Sequence, residues 1–312
     1  MNRGQTIAAA HIGRLVFCVV ATSFLAVAMV FALTAPAFAQ DANQTEPAPS
    51  PELAPTQEVS APEPTFEDGY AAYQRGNFYE ARVIWEALAQ DGDARALYNL
   101  GTLYAQGRGV PQNMVSARAF WEGAADEGHV GAMHNLALSL IADAGGHEEN
   151  LADAEYEEAL NWLQRASEGG FPNSQYTLGK MYQYGLSVEQ NDQEAARLFI
   201  EAAEQGFASA QYNLGKLYRD GRGVPHDANL SLHYFEQAAL QGHAGAQNRL
   251  ATRFARGEGV ERNDITALMW ASLSAEQGNE RAIENREVLL ARMSEDEIAA
   301  AQALIDAHHA TQ

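Results

Sequence analysis

Cysteine is all but absent from this chain. The single residue, Cys18, lies in an apolar run near the N-terminus, and no lipoprotein-type small-residue box precedes it. Beyond that run, disulfides, thiolate metal sites and a cysteine nucleophile are therefore excluded. Lysine is nearly as scarce, with Lys180 and Lys216 the only two. Acidic residues outnumber basic ones 41 to 20, giving a net charge of −21. Such a surface repels polyanions, so neither nucleic acid nor anionic lipid is expected to bind through a basic patch. Period-two alternation is missing, which argues against strands. No H-E-x-x-H spacing and no G-x-S-x-G elbow occurs, so a zinc site and a hydrolase nucleophile lack their usual framework. No cofactor, metal site or enzymatic activity is expected.

Proline is concentrated in one place. Six of the ten, Pro47, Pro49, Pro51, Pro55, Pro62 and Pro64, stand between Gln40 and Thr65. That stretch is acidic and poor in large apolar residues, and reads as an extended, disordered spacer covering residues 40–65. Before it, Arg3 and Arg14 supply positive charge ahead of an uncharged, mostly apolar run from Leu15 to Leu33, and Ala37-Phe38-Ala39 has the small-x-small form of a cleavage site. Residues 1–39 are therefore expected to be a secretory signal peptide. At 19 residues the run is also long enough to span a bilayer, so retention as an uncleaved anchor is the alternative, and then the only expected membrane contact. Either way the remainder is expected in an extracytoplasmic space, periplasmic or secreted.

The rest of the chain repeats itself. Gly92, Gly128, Gly170, Gly206, Gly242 and Gly278 are spaced by 36 residues, with one gap of 42. Seven positions earlier stand Trp85, Trp121, Leu163, Phe199, Phe235 and Ala271. A period of this size marks a solenoid, in which each unit stacks on its neighbours. Within a unit two helical patterns flank a glycine loop. The first carries Leu100, Leu136, Leu178, Leu214 and Leu250, each followed by Gly or Ala and then, with the exception of Leu140, by an aromatic residue four positions on. Leucine and aromatic share a face, and the small residue between them permits close approach of another helix. Gly107-x-Gly109, Gly221-x-Gly223 and Gly257-x-Gly259 follow no strand and carry no nucleotide-motif lysine, so they read as inter-helix turns. The third unit holds six extra residues in the Gly145–Leu160 stretch. Its carboxylates Glu148, Glu149, Asp153, Glu155, Glu157 and Glu158 lack the alternation and central glycine of a calcium loop, and read as a solvated insertion. Beyond Asn279 the pattern changes. Ser294-Glu295-Asp296-Glu297 is a capping box, and Ile298, Leu304 and Ile305 give the following helix an apolar stripe.

The pattern A-x-x-N-L-G-x-x-Y, then G-x-G-V, then A-A-x-x-G resembles the Sel1-like repeat family, a relative of the tetratricopeptide repeat. Ala210 to Tyr218, Gly221 to Val224 and Ala238 to Gly242 match it nearly throughout. The resemblance implies an all-α, right-handed superhelix of antiparallel helix pairs. About six repeats are expected over residues 66–279, with a C-terminal helical cap over 280–312. It further implies an inner face lined by the first helices. By register, the groove positions are Tyr98, Asn99 and Thr102; His134 and Asn135; Tyr176 and Lys180; Tyr212, Asn213, Lys216 and Arg219; and Arg249. Lys180, Lys216, Arg219 and Arg249 would form a positive lane within an acidic shell. Tyrosines would supply contact area and asparagines would bond an extended peptide backbone. The competing explanation is that these tyrosines and asparagines serve packing between repeats. The expected function is that of an exported protein–protein interaction scaffold or adaptor in a bacterial cell envelope, with a protein or peptide partner. Regulation of an envelope sensor, or binding of cell-wall glycan on the tyrosine column, are the alternatives.

Overall fold

The computed structural model describes residues 63–144 and 149–311. The expected signal segment, Cys18 and most of the proline-rich spacer lie outside them. The described residues form fourteen helices and no strand: α1 Phe66–Gln74, α2 Phe78–Gln90, α3 Ala94–Gln106, α4 Met114–Asp126, α5 Val130–Ala144, α6 Glu149–Glu168, α7 Pro172–Tyr184, α8 Asp192–Glu204, α9 Ala208–Asp220, α10 Ala228–Leu240, α11 Ala244–Arg256, α12 Asp264–Glu276, α13 Glu280–Leu290 and α14 Glu295–His309. Each helix from α1 to α12 packs on the next, and α14 folds back onto α12. This is an all-α solenoid. The first pair is abbreviated, its α1 having 9 residues where most helices have 13.

Local chemistry sets the helix boundaries. Asn77, Asn113, Asn191, Asp227 and Asn263 each precede a second helix and accept a hydrogen bond from a backbone N–H of its first turn. That satisfies donors that a helix start would otherwise leave unpaired. First helices end on Gly107, Gly185, Gly221 and Gly257, all left-handed with φ between 65° and 70°. Two residues further on, Gly109, Gly223 and Gly259 take φ of 71° to 75°, and the equivalent residue in the fourth unit is Ser187 at 55°. It is the one non-glycine residue in that region among the described residues. A side chain there is costly, because its Cβ crowds the carbonyl.

Packing within each pair depends on one complementary contact. A Cβ added to Gly69, Gly101, Gly179 or Gly215 would lie under 3.0 Å from the ring of Trp85, Trp121, Phe199 or Phe235 respectively. Those rings come from the second helix of the same unit and are buried. Where the small residue is alanine, at Ala137 and Ala251, the equivalent second-helix residues are Leu163 and Ala271, which fit a narrower space. The small column thus admits an aromatic ring of its own pair, rather than serving only the next repeat.

Between pairs, buried glutamines act as ties. Gln175, Gln211 and Gln247 donate through Nε2 to the carbonyls of Ser167, Ala203 and Ala239 in the preceding unit, at 3.4, 3.3 and 3.2 Å. Their Oε1 atoms accept from Gln205, Gln241 and Gln277, just past the second helix of their own unit, at 2.8, 2.7 and 2.8 Å. A buried amide satisfied on both sides fixes the register of two units at once.

One expectation is refined and one corrected. The residues expected as a solvated insertion take helical form: from Glu149 onward they belong to α6, which has 20 residues, with Glu157 and Glu158 exposed. Glu149, Asp153, Glu155, Glu157 and Glu158 thereby sit in its N-terminal half; Glu148 lies outside the described residues. On α14 the buried residues are Ala301 and Ile305, whereas Leu304 is exposed. The expected capping box at Ser294 and Glu297 forms.

Gly215→Ala should cost about 1–2 kcal/mol, because overpacking against Phe235 outweighs the better helix propensity of alanine. Adding Phe235→Leu should recover about 1 kcal/mol or more relative to additivity; strictly additive losses in urea unfolding would refute the ring-against-glycine account. Ser187→Gly should raise stability by up to about 1 kcal/mol, visible as a higher midpoint in the same titration. An unchanged or lower midpoint would show that Ser187 carries no strain.

Candidate partner-binding face

The first helices α3, α5, α7, α9 and α11 carry all twelve residues assigned to the groove from sequence. Their side chains divide into two groups. The aromatic column is engaged between units. Tyr98 stacks on His129 with ring centroids 4.4 Å apart, His134 meets Phe171 edge-on at 5.3 Å, Tyr176 lies against Phe207 at 5.3 Å, and Tyr212 stacks on His243 at 4.5 Å. In each case the second ring belongs to the residue just ahead of the next first helix. The glycan alternative needs these tyrosines as a free stacking surface, and they are committed here to inter-repeat contacts.

His134 and Asn213 are buried, at 4% exposure each, and do not face a groove. The His134 Nδ1 shares a 2.9 Å hydrogen bond with Ser174 Oγ across two units. Burial pushes its imidazole down to about 4. Asn213 donates to the Ser209 carbonyl at 2.9 Å and to the Tyr176 hydroxyl at 3.4 Å. Burial pushes the Tyr176 phenol up to about 12, opposed by that hydrogen bond. Thr102 turns its hydroxyl back to the Tyr98 carbonyl at 3.0 Å. Asn99 and Asn135 are half-buried. For the tyrosines and for Asn213, packing between repeats is therefore the role the geometry displays.

The cations behave differently. Lys180 holds its ammonium 3.0 Å from the Tyr184 hydroxyl and 3.3 Å from Gln183 Oε1, and has no carboxylate partner among the described residues. Burial pushes it down to about 8. Lys216 lies 5.5 Å from the centroid of the Tyr212 ring. Burial first, then repulsion from Lys180, Arg219 and Arg249, pulls its ammonium below the usual lysine range, while Tyr184 opposes the shift. The structure thus brings together four cations from three repeats. Arg219 is neutralised locally by a two-pronged bond to Asp220 at 2.7 and 2.8 Å. Arg249 forms no ion pair or hydrogen bond among the described residues.

Arg249 opens onto a cleft of about 370 Å³ between α9, α11 and α13, bordered by Tyr212, Asn248, Thr252, Arg281 and Asn285. Asn285 donates to Asn248 across the cleft at 2.8 Å. Arg281, Asn248 and Asn285 were not assigned to the groove from sequence. Asn248 occupies the repeat position of Tyr212, and the signal for the other two was hidden by placing the end of the repeats at Asn279. Among the described residues no group of three or more His, Cys, Asp or Glu side chains is placed to hold a metal ion. No helix among them is long and apolar enough to cross a membrane.

The depressed His134 value sets the sign of an acid response. Neutral in the fold and near 6.5 when unfolded, His134 contributes stability that is complete above pH 6.5 and lost as pH falls towards 4. His134→Tyr installs the residue found at the same position in neighbouring repeats. Its melting temperature should therefore fall less than that of the parent between pH 6.5 and 4, and a difference independent of pH would refute the assignment.

Comparison with known proteins agrees with this architecture. A family model described as Sel1 repeat matches residues 94–129, 131–171, 172–207, 208–243 and 244–279, more than half of the chain. The fold is similar to that of a Sel1 repeat protein from Oxalobacter formigenes, with a TM-score of 0.66 and 26% identity, covering 80% of this chain and 100% of that one. It is also similar to c5321, a protective antigen of uropathogenic Escherichia coli strains displaying an SLR fold, with a TM-score of 0.51 and 25% identity. That match covers 78% of this chain and 59% of the antigen. No curated protein matches the sequence. With five consecutive units meeting the family pattern and helix pairs stacked as that pattern requires, the chain belongs to the Sel1 repeat family.

Proposed function

We propose that this protein is an exported, non-catalytic scaffold that holds a protein partner on the face of its first helices, in a bacterial cell envelope. Repeats of this family generally serve protein–protein interaction. The observation that carries the reading is the cleft at Arg249, where polar and cationic side chains from successive repeats converge and neither Arg249 nor Arg281 makes an ion pair with the bordering Glu284. Side-chain amides at Asn248 and Asn285 suit a peptide backbone, which needs both donors and acceptors along its length. Support for export comes from Arg3 and Arg14, the apolar run Leu15 to Leu33 and Ala37-Phe38-Ala39, followed by the proline-rich spacer that would hold the repeats away from a membrane. A solenoid that presents a long face on rigid helices needs no chemistry of its own to perform this role.

Site-specific photocrosslinking in the native host tests the reading. A crosslinker at position 249 or 252 should give one discrete protein adduct in the envelope fraction, and one at Asn161, exposed on α6, should give none. Absence of an adduct from the cleft, or equal adducts from both places, would overturn the scaffold assignment; retention of the chain in the cytoplasm would overturn export.

A further inference from the structure

The cations of this protein fall into two populations. Most arginines are neutralised by carboxylates: Arg82 by Glu86, Arg95 by Asp93, Arg197 by Glu194 and Glu201, Arg222 by Asp192, and Arg262 and Arg292 by Asp264. With acidic residues outnumbering basic ones two to one, such pairing is the default. Arg108, Arg165 and Arg253 lie instead over aromatic rings. Lys180, Lys216, Arg249 and Arg281 depart from the default on one face. None makes an ion pair among the described residues, and they follow one another along α7, α9, α11 and α13. Lys216 is repelled by Lys180, Arg219 and Arg249 across the repeats. Both lysines are also largely withdrawn from water. Like charges held together in a partly desolvated place cost stability. Here the cost recurs at the same face of consecutive repeats, inside a molecule otherwise rich in counter-ions.

We propose that this row is the recognition element of the partner site, and that its occupant is an acidic, extended peptide segment of the partner protein. This inference rests on the scaffold reading and adds the chemistry of what is bound. Carboxylates of the segment would meet Lys216, Arg249 and Arg281, while its backbone would meet the amides of Asn248 and Asn285 at the cleft. Glu284 also borders the cleft without pairing to either arginine, so it would orient the segment by excluding a carboxylate from that end. Adjacent first helices at spacings of about 8–10 Å place α7 and α13 about 24–30 Å apart. About eight extended residues span that distance. The negative field of the whole chain disfavours a nucleic acid, whose uniform phosphate charge extends beyond the row; a short acidic segment flanked by neutral residues avoids that repulsion.

Fluorescence anisotropy with labelled octaglutamate, octaserine and an eight-residue oligothymidylate tests this on the purified chain. Octaglutamate should bind, octaserine should not, and affinity should fall with salt. Lys216→Gln with Arg249→Gln should weaken octaglutamate by at least about tenfold. Asn161→Glu with Asn229→Glu, which alters net charge equally on the second helices, should change it less than about twofold. Unaltered melting temperatures would show that both double variants remain folded. Lys216→Ala alone, expected to weaken binding about threefold or more, serves if the first double variant does not fold. Failure of octaglutamate to bind, equal loss in both double variants, or equal affinity for the oligothymidylate would overturn the proposal. A discrete crosslinked partner at position 249 together with no octaglutamate binding would remove the acidic segment and leave the scaffold reading standing.

Discussion

A ring pressed against a missing Cβ is the contact on which this solenoid depends. In four of the six units a glycine on the first helix lets an aromatic ring from the second approach to a distance no side chain would permit. That approach buries Trp85, Trp121, Phe199 and Phe235, which are among the largest apolar side chains of the interior, and burial of such rings is the main favourable term open to a chain without disulfides. Where the ring is replaced by Leu163 or Ala271, the glycine becomes Ala137 or Ala251. The two columns vary together because the volume between the helices is conserved, not the residues that fill it.

Each pair so formed must still find its neighbour in register. Burial alone tolerates slippage, whereas a buried amide bonded on both sides does not. The glutamine ties at Gln175, Gln211 and Gln247 meet that need for the central units. On the first helices Tyr98, Tyr176 and Tyr212 do the same with the ring or imidazole that opens the next unit. Much of the polar and aromatic content of the first helices is thereby used in building the face rather than in offering it to a partner. Lys180, Lys216, Arg249 and Arg281 remain over, and the repulsion of Lys216 by its cationic neighbours is the feature of this face that stacking does not explain.

Most of the architecture could be read directly from the chain. Period, helix type, the left-handed glycines and the capping box at Ser294 follow from short-range chemistry that needs no knowledge of neighbours. The candidate site was legible only in part. Lys180, Lys216 and Arg249 were placed on one face by register, and the structure brings them near one another. His134 and Asn213 were placed there by the same rule and lie buried instead. Arg281 and Asn285 were overlooked because α13 departs from the repeat pattern, although it completes the cleft. Leu304 and Ile305, adjacent in sequence, were read together as apolar stripe, yet helix geometry turns one outward.

What the sequence determined by itself was therefore everything encoded locally and repeated: helices of fixed length, their caps, and the alternation of large and small residues that commits them to stack. Tertiary structure alone decided which polar side chains are walls and which are surface. A position one residue from the core column stands at the edge of a helix face, and whether it is covered depends on the residue contributed by the next unit, some 36 positions away. Phe171 covers His134, and no side chain of the described residues pairs with Arg249. That difference has no trace in either helix taken alone.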